Sequence, residues 1–174
     1  MAQEHRRRHK AHLDQHIKDA NGEYHYVGDW YKLQGGGKAL MPFLIWSVVS
    51  AAFLIAAGCL PFPGMLNTWY VIIPYLGTVS VFFALFWQGR KLAFSGGRVK
   101  TFAWENVKDN IFPITRALAV FNVLTGVLGG VYLLISKTAF SGVCLWFFLL
   151  LLLAAISAWI AGNAFKKQVW EIET

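Results

Sequence analysis

The side chains best suited to chemistry lie at the start of the chain. His5, His9, His12 and His16 recur at intervals of four, three and four, which on a helix would gather them within about 60° of arc. Pairs of neutral imidazoles at i, i+4 chelate Zn²⁺, Ni²⁺ or Cu²⁺, so one expectation is a metal-responsive arm. A plainer reading competes with it. Arg6, Arg7 and Arg8 would repel a cation, Asp14 and Asp19 are the only carboxylates within the histidine-rich stretch and just beyond it, and no cysteine is close. On that reading the segment is a polybasic arm beside anionic lipid headgroups.

Further along, four side chains invite a chemical reading. Cys59 and Cys144 form no C-x-x-C pair, which removes the redox-enzyme reading. Each falls near the end of an apolar block, where a bridge between the first and last blocks is conceivable on an oxidising side. The alternative is two thiols packing as small apolar residues. Arg116 is the one charge inside an apolar block, close enough to its end to snorkel to headgroups. Asn122 is an amide near mid-depth of the same block. It can hold a polar solute or hydrogen-bond a neighbouring helix. No Ser/His/Asp set, H-E-x-x-H or Cys/His pair lies in or beside the blocks, and all nine acidic residues lie outside them. Neither an enzyme nor a cofactor is expected, and a proton-coupled path lacks its usual groups.

The elements that must position these residues are four apolar blocks, 39–60, 68–88, 114–135 and 142–165. Each is near the roughly 20 residues that cross a bilayer as a helix. With 56% hydrophobic residues and 16% aromatics in 174 residues, the chain is too apolar for an ordinary soluble domain. The first block begins after a long polar stretch with no cleavage pattern behind it, so no secretory signal is expected.

A net charge of +7 would suggest nucleic acid on a soluble domain, but the cations alternate with the blocks. They crowd before the first block, in the middle connection and after the fourth, whereas Lys137 alone marks the other two loops. The positive-inside rule then gives a multi-pass protein of a bacterial-type cell membrane with both termini cytoplasmic, and nucleic acid is not an expected partner.

The fold class expected is all-α, with four transmembrane helices as two antiparallel hairpins. Residues 1–38 form a basic cytoplasmic arm in which Asn21-Gly22 signals a tight turn and a small β-hairpin. Its aromatics Tyr24, Tyr26 and Trp30 offer a cytoplasmic partner a docking surface or rest on headgroups. Gly35, Gly36 and Gly37 read as a flexible joint, since the phosphate-loop spacing is missing. The uncharged loop 61–67 implies a tight hairpin of the first two spans. Pro74 should bend the second span, with Thr78 capping a freed carbonyl. In the connection 89–113, residues 98–111 fit a short amphipathic helix lying along the interface. Residues 166–174 are a cytoplasmic tail.

Small residues mark one face of every span. In the third, Thr115, Asn122, Thr125, Gly126, Gly129 and Gly130 oppose Val120, Leu124, Val127 and Val131. In the fourth, Ala154, Ala158 and Ala161 oppose Leu145, Leu149, Leu152 and Ile156. Ser47, Ala51 and Gly58 in the first and Gly77, Ser80 and Ala84 in the second complete the set. Such faces suit close helix contact, with a membrane-protein partner or a second copy as well as within the chain, the bilayer being the other partner. The leading functional expectation is a non-enzymatic accessory or regulatory subunit of a membrane complex. The alternatives are a small oligomeric transporter or channel for an uncharged or lipid-like solute, and the metal-responsive histidine arm.

Overall fold

The computed structural model describes residues 16–18, 24–26, 29–65, 68–137 and 140–173. His5, His9, His12 and the Asn21-Gly22 turn lie outside them, and of His16, Tyr24 and Tyr26 only the backbone is described. Strand β1 (His16–Lys18) pairs antiparallel with β2 (Tyr24–Tyr26), His16 opposite Tyr26. Strand β3 (Trp30–Leu33) leads into a 3₁₀ turn at Gly36–Leu40 and then helix α1 (Met41–Cys59). Helix α2 (Trp69–Ala93), strand β4 (Arg98–Lys100), helix α3 (Thr101–Ser136), helix α4 (Gly142–Lys166) and strand β5 (Trp170–Glu173) follow. The chain is mostly helical, and four of its helices are long and apolar enough to cross a membrane.

The helices are held by stripes with coiled-coil-like three- and four-residue steps. On α3 the described buried positions are Trp104, Val107, Ile111, Thr115, Leu118, Asn122, Thr125 and Gly129, with Ala119 beside the stripe. That stripe runs without a break past Pro113, which is exposed. The expected interfacial helix over 98–111 is therefore replaced by two things. Arg98–Lys100 is a strand, and the residues after it are the first turns of one 36-residue helix. A proline costs a helix one backbone hydrogen bond, and here continuous packing on one face offsets it. At 1.5 Å per residue α3 is about 54 Å long, well beyond the roughly 30 Å of a hydrocarbon core.

The first two spans are not the packing unit that a tight hairpin would make. Helix α1 packs chiefly against α4, α4 against α3, and α3 against α2, while α1 and α2 meet at few points. The cause is shape. Helix α1 buries Phe43, Ser50, Leu54 and Ala57, a face one step round from the Ser47, Ala51 and Gly58 stripe. Helix α4 meets it with Ala154, Ala158 and Ala161, which let backbones approach closely, and Ser50 Oγ donates to the Ala154 carbonyl at 2.9 Å. On α2 the buried face is Val71, Pro74, Thr78, Leu85, Gly89 and Leu92, while Ser80 and Ala84 are exposed. Thr78 Oγ1 donates to the Pro74 carbonyl at 3.0 Å, one turn further on than the carbonyl that the proline frees. Between α1 and α2 the loop is a plug: Phe62 is buried, its ring stacked on Phe147 at 4.3 Å.

One end of the bundle is closed by a three-stranded antiparallel sheet of order β4-β3-β5. Tyr31 lies opposite both Val99 and Ile172, and Leu33 opposite Trp170. Residues directly opposite share a face; Tyr31, Leu33, Val99 and Trp170 turn it to the core, with Leu33 and Val99 buried, while Ile172 at its edge is exposed. The outer side carries Lys32, Arg98 and Glu173, which pair with one another. The tail thus contains a strand, and Lys32, Arg98 and Lys100 are brought to the same end of the molecule as Lys166 and Lys167. Gly35–Gly37 is not a loose joint either. Gly96 and Gly97 hold φ of +62° and +90°, and a Cβ on Gly97 would stand 3.1 Å from the backbone of Gly36 and Gly37. Two glycine turns pack backbone to backbone, a contact that side chains would prevent.

Candidate functional site

Two buried apolar clusters divide the bundle. At the level where they meet lie Ser50 of α1, Thr78 of α2, and Asn122 and Thr125 of α3, all buried. Each could bond across helices, but only Ser50 does so in the bonds observed. Thr78 returns to its own helix, and Thr125 Oγ1 donates to the Phe121 carbonyl at 2.8 Å. Asn122, at 0% exposure, donates from Nδ2 to the Leu118 carbonyl at 2.8 Å. Its Oδ1 is buried without a partner. Exchanging the amide's oxygen and nitrogen would set two acceptors against each other, so the orientation stands. The seam is closed to water, yet Asn122 is not the interhelical adhesive that its position suggests.

The small residues of the seam meet aromatic rings more than other small residues. A Cβ on Gly129 would lie 3.3 Å from Phe148 and 3.4 Å from Phe62. At Gly126 the nearest atoms stand at 4.0 Å, and nothing lies within 4 Å at Gly130. Ala154 and Ala158 are fully buried on α4. Among the glycines of α3 and α4 the closest approach is at Gly162, where a Cβ would collide with the Thr115 hydroxyl.

A second polar group sits nearer the sheet end. Arg116 Nη2 donates to Asn163 Oδ1 of α4 at 3.0 Å, and the guanidinium lies against Trp159 and over Phe112. Aromatic faces attract such a cation, more so where water is partly excluded. Among the described residues no carboxylate pairs with Arg116, Lys166 or Lys167. Arg116 is half-buried, its guanidinium held between the Asn163 amide and the two rings. Asn163 is the only amide of the block 142–165, a signal available in the sequence.

The two thiols are free: Cys59 is exposed and Cys144 buried beside Ser141. The bridge conceivable from the sequence is absent, because Cys59 lies off the α1 face that meets α4. Among the described residues no three His, Cys, Asp or Glu side chains gather to hold a metal, and the histidine arm that raised that prospect lies outside them except for His16. Trp30 is half-buried, within 5.8 Å of the Arg98 and Lys100 cations on the outer side of the sheet. No family model, curated protein or solved structure matches the chain.

Proposed function

We propose that the chain is a non-enzymatic multi-pass membrane protein, an accessory or regulatory subunit of a membrane complex, with both termini cytoplasmic. One contrast carries this reading. The mid-bundle polar groups Ser50, Thr78, Asn122 and Thr125 are at most 1% exposed, whereas large apolar side chains such as Val48, Ile55, Ile73, Phe83, Phe86, Leu134 and Leu145 are exposed along all four spans. A soluble monomer rarely exposes so much apolar surface, and a sealed interior serves contact better than conduction. The sheet supports the orientation, since it brings Lys32, Arg98 and Lys100 to the end where Lys166 and Lys167 lie, the pattern that the positive-inside rule expects of a cytoplasmic face.

The experiment is crosslinking in native membranes followed by purification in mild detergent. A discrete partner band in stoichiometric amount is expected, and a pure monomer with nothing crosslinked would overturn the reading. Reporter fusions at Gly64 test the orientation separately, a cytoplasmic signal there being the adverse result.

A transporter of an uncharged solute draws on one observation, the partnerless Oδ1 of Asn122. Solute flux into liposomes that is lost in Asn122→Leu would favour it.

A further inference from the structure

We propose that the outward stripe of α4 holds one anionic phospholipid. Two concavities lie along that helix. One, of about 380 Å³, is an apolar groove between α3 and α4 lined by Ala119, Val123, Leu152, Ala155, Ile156 and Trp159. The other, of about 450 Å³, lies between the start of α1 and the end of α4 and is lined by Gln34, Pro42, Asn163, Lys167 and Gln168 among others. Ile156, Asn163 and Lys167 fall within about 40° of one another on the helical wheel and span about 16 Å along it. That length suits a lipid with its headgroup at Lys167 and an acyl chain running toward Leu152.

The polar chamber has the complementarity such a headgroup needs. Asn163 Oδ1 is occupied by Arg116, so the same planar amide is left with its Nδ2 as a donor. Lys167 adds an exposed cation with no carboxylate partner among the described residues. Both suit phosphate oxygens, because hydrogen bonds to a charged acceptor are the stronger kind. The one acid nearby, Glu171, is engaged by Gln34 Nε2. Gln168 donates from Nε2 to the Ala39 carbonyl at 3.2 Å, which leaves its Oε1 buried without a partner. The apolar groove supplies the place for the chain, and the Trp159 indole, 50% exposed, stands between groove and headgroup.

The inference rests on the chain being embedded in a bilayer and not on its having a protein partner. Its test is native mass spectrometry of the full chain released from nanodiscs of equal phosphatidylglycerol and phosphatidylcholine. One phosphatidylglycerol per chain is expected to be retained in preference to phosphatidylcholine and to resist millimolar glycerol phosphate. Lys167→Glu, at an exposed position, should cut that retention about tenfold, the effect of losing one charged hydrogen bond. Leu152→Trp should fill the groove and lower retention with the headgroup contacts intact. Equal retention of the two lipids, displacement by free glycerol phosphate, or full retention in both variants would overturn the proposal. Failure of the chain to enter nanodiscs at all would instead count against the membrane reading beneath it.

Discussion

The mid-bundle seam and the sheet end are both closed, but by opposite means. At the seam, α4 presents Ala154 to Ser50 of α1 and Gly162 to Thr115 of α3, and the polar groups of α3 turn back on their own helix. At the sheet end, three strands of three or four residues are joined across the chain and sealed by large rings. Trp104 is the hub, with Trp170 at 4.1 Å, Tyr31 at 5.8 Å and Phe165 at 6.1 Å. The seam depends on what is missing from side chains, and the sheet end on what fills them. Damage should follow that difference: enlarging residues breaks the first, and truncating them breaks the second.

The largest effect is expected at the sheet end. Trp104→Ala removes a buried ring touching β3, β5 and α4, and should cost about 3–5 kcal/mol. Reversible unfolding in mixed micelles measures it, and a loss below about 1 kcal/mol would mean that the rings merely decorate the sheet. At the seam, Gly162→Leu drives a side chain into Thr115 and should cost about 1–3 kcal/mol or more, whereas Gly130→Ala, facing open space, should cost nothing measurable. Equal losses at the two glycines would show that the seam is not sterically limited. Next, Gly97→Ala should cost about 1–3 kcal/mol, since it strains a positive φ and presses on Gly36. It should also expose the backbone amides of β4 to hydrogen exchange while those of α4 stay protected.

Legibility in the sequence follows the same division. The seam is written in local periodicity: in α3 and α4 the side that carries Asn122 and Ala158 can be told from the side that carries Val127 and Leu152 by counting residues. In α1 the count goes astray, because a small residue such as Ser47 marks a buried face no better than Phe43 does, and both occur. The length of α3 was legible too, in the unbroken spacing from Trp104 to Gly129. Pro113 and the flanking charges Glu105, Lys108 and Asp109 drew attention from it. The sheet was not legible. Its strands are short and lie roughly seventy residues apart, and Arg98–Lys100 carries a single apolar residue, too little for an alternating pattern. Pairing of that kind is specified by shape at long range, through rings such as Trp170, which no local pattern marks. Nor does any periodicity reveal that Asn163 faces Arg116, which requires the register between two helices.

The smallest predicted effect sharpens the comparison most, because its sign decides it. If Asn122 were an adhesive, Asn122→Leu would loosen the seam by roughly the 0.6 kcal/mol typical of an interhelical hydrogen bond in a membrane. Its Nδ2 instead bonds within α3 and its Oδ1 is buried without a partner, and such an oxygen costs about 1–3 kcal/mol. Leucine keeps the same branched heavy-atom skeleton, with bulkier ends, and lacks that oxygen. The variant should therefore be more stable than the parent by about 1 kcal/mol, seen as a higher unfolding midpoint at unchanged helicity. A lower midpoint would show that Oδ1 has a partner in the native membrane, either a neighbouring helix or a bound solute. An amide kept at a net cost in stability belongs to function more than to folding, and crosslinking yield measured on the same variant would tell which function it serves.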